Sequence, residues 1–159
     1  MKKTIAFSMA ILTASLIAGC QDQSRPADLP TLFPCAILIT QDGKPLDGAV
    51  VELVPVDAAN AKYRASSATD ADGKAVLTTY GFDGVPAGRY KVCVWKTVVE
   101  GVKQFTNADG ETVNTNGVDY QTVEPQYSSA ETTPHEINIA DKKTPLISFD
   151  VGKPIKVKK

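Results

Sequence analysis

From Cys35 onward, apolar residues recur at every second position in short runs, and no window carries a sustained 3.6-residue stripe. Alternation of that period puts successive side chains on opposite faces of a strand, so the pattern predicts half-buried β-strands. The runs are Cys35–Thr40, Ala49–Pro55, Tyr63–Thr69, Lys74–Tyr80, Arg89–Trp95, Glu136–Ala140 and Pro145–Val151. Between the early ones stand Gln41-Asp-Gly-Lys-Pro45, Asp70-Ala-Asp-Gly73 and Phe82-Asp-Gly-Val-Pro-Ala-Gly88, whose Asp-Gly pairs supply the positive φ of tight hairpins. The alternation also assigns faces. Ala49, Val51 and Leu53 oppose Glu52, while Tyr90, Val92 and Val94 oppose Lys91, Cys93 and Trp95. The predicted core between two sheets is Ile37, Ile39, Val51, Leu53, Leu77, Tyr90, Val92, Val94, Ile137 and Phe149.

The first twenty residues follow a different rule. Lys2 and Lys3 precede an apolar run from Ile5 to Ile17, then Ala18 and Gly19 stand before Cys20. A basic start, a short apolar stretch and small residues are the marks of an export signal, too short to span a membrane and stay there. The ending Leu16-Ile-Ala-Gly-Cys20 resembles the lipobox of bacterial lipoproteins. That resemblance implies cleavage before Cys20, a diacylglyceryl group on its thiol and a further acyl chain, such as palmitate, on the new amine. One acyl chain binds a bilayer only marginally, whereas several on one residue anchor it stably. The residue after the cysteine is Gln21 and not the Asp that commonly retains such proteins at the inner membrane, which implies the outer membrane, facing the periplasm.

The chain therefore divides into a signal helix and signal peptide at 1–19, the lipidated Cys20 with a linker to residue 34, a β domain at 35–152 and a basic tail at 153–159. Pro26, Pro30 and Pro34 make the linker read as a partly extended spacer. Cleavage after Gly19 leaves 140 of the 159 residues and, with two lysines gone, moves the net charge from -1 to -3.

The order of turns and strands in the β domain resembles a known architecture. Gly43-Lys-Pro-Leu-Asp-Gly-Ala-Val-Val-Glu-Leu-Val-Pro55, then Thr69-Asp-Ala-Asp-Gly-Lys-Ala-Val-Leu77, then Asp83-Gly-Val-Pro-Ala-Gly-Arg-Tyr-Lys-Val92 are similar to a carboxypeptidase regulatory-like domain of the transthyretin-like class. Pro125-Gln-Tyr127 and Thr133-Pro134 fit bacterial lipoproteins of that kind, and the resemblance covers about Cys35 to Val151. It implies an all-β fold, a seven-stranded Greek-key β-sandwich. Transthyretin-like folds include a hydrolase of purine breakdown that relies on several histidines and a C-terminal Tyr-Arg-Gly-Ser. With one histidine and a Lys-Val-Lys-Lys end, this chain departs from that pattern.

Charge and residue inventory narrow the function. Acids and bases are almost balanced, 18 against 17, and interspersed, so there is no basic stripe for nucleic acid. No Gly-x-Ser-x-Gly elbow and no His pair for zinc occurs, and no catalytic residue, metal ligand or cofactor is expected. Asp70-Ala-Asp-Gly73 opens like a calcium loop, but its twelfth position is Gly81 and not a bidentate acid, so a hairpin turn is expected there and at Asn107–Gly110. His135, between Pro134 and Glu136, reads as a surface or strand-edge residue.

Cys35 and Cys93 form an even pair in an oxidising compartment, a candidate disulfide that would contribute about 4 kcal/mol in the chain-entropy model. Strand parity opposes it, since Cys35 shares a face with Ile37 and Ile39 while Cys93 points away from Val92 and Val94; the alternative is two buried thiols. The stretch 97–133 exceeds the length of about 12 to 15 residues at which structureless loops become uncommon. Within it, a hairpin is expected of Gln104–Thr106 against Glu111–Val113, and the whole acts either as a flap over the outer face near Trp95 and Cys93 or as a binding surface. The expected partner surface is Trp95, Phe105 and Tyr120, with weak attraction from the basic tail. The functional expectation is a non-catalytic, lipid-anchored periplasmic module that binds or spaces envelope proteins or glycans. A hydrolase with a site on the long loop and a calcium-stabilised adhesion module are the alternatives.

Overall fold

The computed structural model describes residues 25–107, 109–140 and 145–159; the predicted signal peptide and Cys20 lie outside the described residues. Among the described residues the protein is all-β, with two larger sheets and three smaller ones. Each expected run contains a strand. The six-stranded sheet runs, neighbour by neighbour, Glu136–Ile139, Gly88–Trp95, Val50–Pro55, Ala65–Ala68, Thr78–Thr79 and Phe82–Asp83, all antiparallel. The second sheet is built on Ala36–Gln41, which pairs in parallel with Ile147–Asp150 and antiparallel with Lys44–Pro45 and Lys74–Val76.

The Lys74–Tyr80 run does not stay in one sheet. Its first half pairs with Ala36–Leu38 and its second half with Ala65–Ser66 of the other sheet. Leu77 is the crossing point: its amide donates to the Cys35 carbonyl at 3.0 Å and its carbonyl accepts from Gly84 at 2.9 Å. Both of its backbone groups are thus satisfied outside the ladders, as a fully buried residue requires. The Asp42-Gly43 turn takes φ of 52° and 73°, the left-handed pair that a two-residue hairpin demands.

The inward side chains of both sheets form one core. Ile37 and Ile39 from one sheet meet Val51, Leu53, Tyr90, Val92, Val94 and Ile137 from the other, with Leu77 between them, and all are buried. Each such aliphatic side chain stabilises the fold by about 1.5–3 kcal/mol relative to exposure. Tyr90 keeps its hydroxyl satisfied inside the core by donating to the Pro86 carbonyl at 2.9 Å. Phe149 departs from expectation: it is half-buried at the core's rim. Among the described residues its strand pairs only with Ala36–Gln41, and the ring packs against His135, at 4.8 Å between centroids.

Three segments expected to be irregular are ordered by packing. Residues 25–34 are not a free spacer. Leu29 is buried, Tyr63 donates its hydroxyl to the Asp28 carbonyl at 2.5 Å, and Leu32–Phe33 pairs with Val85–Pro86. The stretch 97–133 folds as well: Thr97–Glu100 pairs with Val118–Gln121, and Gln104–Thr106 with Thr112–Asn114. The basic tail closes this appendage, because Val157–Lys158 adds a third strand beside Val118–Gln121 and Lys159 donates its amide to the Asp119 carbonyl at 3.0 Å.

Candidate interaction surface

The appendage grows out of the six-stranded sheet, where the Gly88–Trp95 strand continues through Lys96 into Thr97–Glu100. At its far end the hairpin turns at Asn107, whose side-chain oxygen accepts from the amides of Asp109 (3.1 Å) and Glu111 (2.8 Å). Phe105 faces Val113 across the hairpin, and all six strand residues are exposed. An isolated two-stranded ribbon is only marginally stable in water. Phe105 is 51% exposed, and Val99 and Val102 at the hairpin's base are exposed too.

The returning chain covers the outer face of the large sheet. The turn of 3-10 helix Pro125–Ser128 packs on Gly88–Trp95, and the Thr133 hydroxyl donates to the Val92 carbonyl at 2.8 Å. Between this cover and the sheet lie two adjoining depressions that share Glu52 and Ser128. The first, about 300 Å³, is lined by Trp95, Thr97, Gln121 and Lys159; the second, about 270 Å³, by Arg64, Cys93, Ser129 and Glu131. Their chemistry is polar and charged. Arg64 pairs with Glu52 at 3.1 Å, and the Ser129 hydroxyl holds the Glu131 carboxyl below its usual range.

The three residues of the expected partner surface come from three different elements. Trp95 lines the groove, Phe105 stands on the hairpin, and Tyr120 lies in the three-stranded sheet. The Lys156 ammonium sits 4.5 Å from the Tyr120 ring centre and 2.6 Å from a Glu100 oxygen. Lys156 of the basic tail is thus engaged within the protein. The tail's composition signalled charge; nothing in it signalled strand pairing.

Among the described residues Cys35 and Cys93 are free thiols, the second of the two arrangements the sequence left open. Cys35 belongs to the core cluster, while Cys93 is buried on the opposite face of its strand under Ser129–Glu131. Burial pushes each thiol up to about 11, with the Glu52 carboxylate adding to the effect at Cys93. At neutral pH both are protonated and poor nucleophiles.

His135 sits at the edge strand as expected. Its ring stacks on Tyr127 at 5.2 Å, and its Nε2 lies 2.9 Å from the Asp150 main-chain carbonyl, which fits an Nε2–H donor. The Asp150 carboxylate turns elsewhere, accepting from the Gly43 amide (3.0 Å), the Thr40 hydroxyl (2.8 Å) and the Gly152 amide (2.8 Å). Sequence reading missed this Tyr127–His135–Phe149 stack because its members come from three separate segments.

The Asp70 loop is a turn. One Asp70 oxygen accepts from the amides of Asp72 (3.0 Å) and Lys74 (2.9 Å), and Gly73, at φ +75°, lies so close to the Ile39 carbonyl that a Cβ would fall 2.4 Å from it. Among the described residues, no group of three or more His, Cys, Asp or Glu side chains is arranged to hold a metal ion, and no helix is long and apolar enough to cross a membrane. A further cleft of about 400 Å³ lies beside Cys35, lined by Pro34, Val76, Gly84 and Leu146 among others. Comparison with known protein families, with curated proteins and with solved structures finds no match to the chain.

Proposed function

We propose that the chain is a lipid-anchored periplasmic module, carried by acyl chains on Cys20 at the outer membrane, that binds an envelope protein or glycan and performs no chemistry of its own. The fold belongs, on this reading, to the seven-stranded Greek-key β-sandwiches of the transthyretin-like, carboxypeptidase regulatory-like type. Two packed sheets with a shared core support that assignment, as does the order of the Gly43–Pro55, Thr69–Leu77 and Asp83–Val92 motifs.

The observation that carries the binding role is the hairpin. It places Phe105 and Val113 on an exposed ribbon beside Val99 and Val102, on a protein whose core is complete without them. Function commonly sits on projections held by a rigid scaffold, and an exposed aromatic flanked by aliphatics is the usual anchor of a contact. The non-catalytic role is supported by the occupation of the reactive groups: Cys35 and Cys93 are buried and protonated, and His135 faces a carbonyl.

The test replaces residues 104–114 by a two-residue turn. Lys103 and Thr115 are already hydrogen-bonded across the base at 2.8 Å, so the cut leaves Val123, which is fully buried, and the tail strand in place. The trimmed protein is expected to fold and to lose its crosslinked envelope partners. Recovery of the same partners would move the binding surface away from the hairpin.

A further inference from the structure

The chain between Cys20 and the folded domain is short. Arg25 is already held, donating to the Pro30 carbonyl at 2.7 Å, and Asp28 and Leu29 are fixed on the domain by Lys62, Tyr63 and burial. Four residues, 21–24, lie between Cys20 and Arg25, which makes five Cα-to-Cα steps. Fully extended they reach only about 17 Å. A domain of this size is about 35–40 Å across, judged from its expected radius of gyration. A tether shorter than half that diameter cannot let the domain tumble freely above its anchor.

The surface around Arg25 has interfacial chemistry. Arg25 and Lys62 are exposed, Lys62 in its ion pair with Asp28, so the surface keeps a net positive charge through Arg25. Tyr80, 47% exposed, is held in a left-handed turn at φ 54°; its hydroxyl donates to the Lys62 carbonyl at 2.6 Å and its ring meets Tyr63 edge-on at 6.2 Å. Tyrosines are enriched at the headgroup level of bilayers, and cations there are attracted by anionic lipid.

Resting on the proposed acylation of Cys20, we propose that the pole formed by Arg25, Lys62 and Tyr80 docks on the phospholipid headgroups of the bilayer that holds the anchor. The domain then lies against the membrane with a fixed pole inward, in place of a domain held off by a partly extended spacer. The clamp at Asp28 and Leu29 is what converts a proline-rich linker into a short leash.

The experiment uses the full lipidated protein, purified from membranes and reconstituted in vesicles of phosphatidylethanolamine and phosphatidylglycerol carrying a headgroup quencher. Ala27→Cys and Thr106→Cys place a fluorophore beside the pole and on the hairpin, both exposed, while Cys35 and Cys93 are buried. The Ala27 probe is expected to be strongly quenched and the Thr106 probe to be little affected. A long Gly-Ser insert between Gln23 and Ser24 should weaken the quenching, and combining it with Arg25→Glu should reduce it to the level of the hairpin. Equal quenching at both positions, in protein that carries acyl chains and stays with the vesicles, overturns the docked pole while leaving the anchor intact. Protein that carries no acyl chain overturns both.

Discussion

Gly43 and Asp150, 107 residues apart, are joined by a hydrogen bond of 3.0 Å from the glycine amide to the aspartate carboxylate. The contact fastens the first hairpin turn to the strand that pairs in parallel with Ala36–Gln41, and the Thr40 hydroxyl and Gly152 amide complete the carboxylate's shell. The Gly43 amide first, then Thr40 and Gly152, hold the Asp150 carboxyl below its usual range.

A group whose folded pKa is depressed stabilises the protein fully above its unfolded pKa of about 3.9 and loses that contribution as pH falls through the folded value. Asp150→Asn should therefore cost about 1 kcal/mol at pH 7, a modest figure because the carboxylate is exposed. The deficit should shrink toward zero as pH drops below 4. Urea unfolding of both proteins across that range measures it; a pH-independent gap would assign the cost to packing instead.

Val92→Ala removes two methyl groups from the centre of the core and should cost about 1–3 kcal/mol. Lys91→Ala, one residue away on the outer face, should cost far less. Equal costs would mean that the two faces of Gly88–Trp95 are reversed.

The native protein should resist alkylation at Cys35 and Cys93 at pH 8, since both thiols are buried and raised to about 11, and should react at both once unfolded in urea without reductant. A Cys35–Cys93 disulfide in non-reduced peptides would contradict the two-thiol structure.

The alternation that located Ile37, Val51, Leu53, Val92 and Ile137 in the core worked because period two reports which face of a strand is buried. It is silent about which partner a strand takes. The Lys74–Tyr80 run alternates without a break although its backbone changes sheets at Leu77, and no local signal marks the parallel pairing of Ile147–Asp150 with Ala36–Gln41. The same limit hid the appendage. Val118–Gln121 and Val157–Lys158 are too short to carry a periodic pattern, and they are ordered by each other across the chain. Parity and the structure agree on one point: Cys93 lies on the other face of its strand from Val92 and Val94, away from the core that holds Cys35.

Leu29→Ala should loosen the clamp on residues 25–33 at a cost of about 2 kcal/mol. Limited proteolysis should then cut at Arg25, or beside it, faster than in the wild type, with the β domain left whole. Unchanged cleavage would show that Leu29 does not hold the segment.

The anchor at Cys20 is the claim on which localisation, docking and partner access all depend, and the intact mass of the protein extracted from membranes tests it most directly. The mass should equal the chain beginning at Cys20 plus its acyl groups, with palmitate label incorporated, and Cys20→Ala should yield neither. A wild-type protein that begins elsewhere, carries no acyl group and leaves with the soluble fraction would contradict the account.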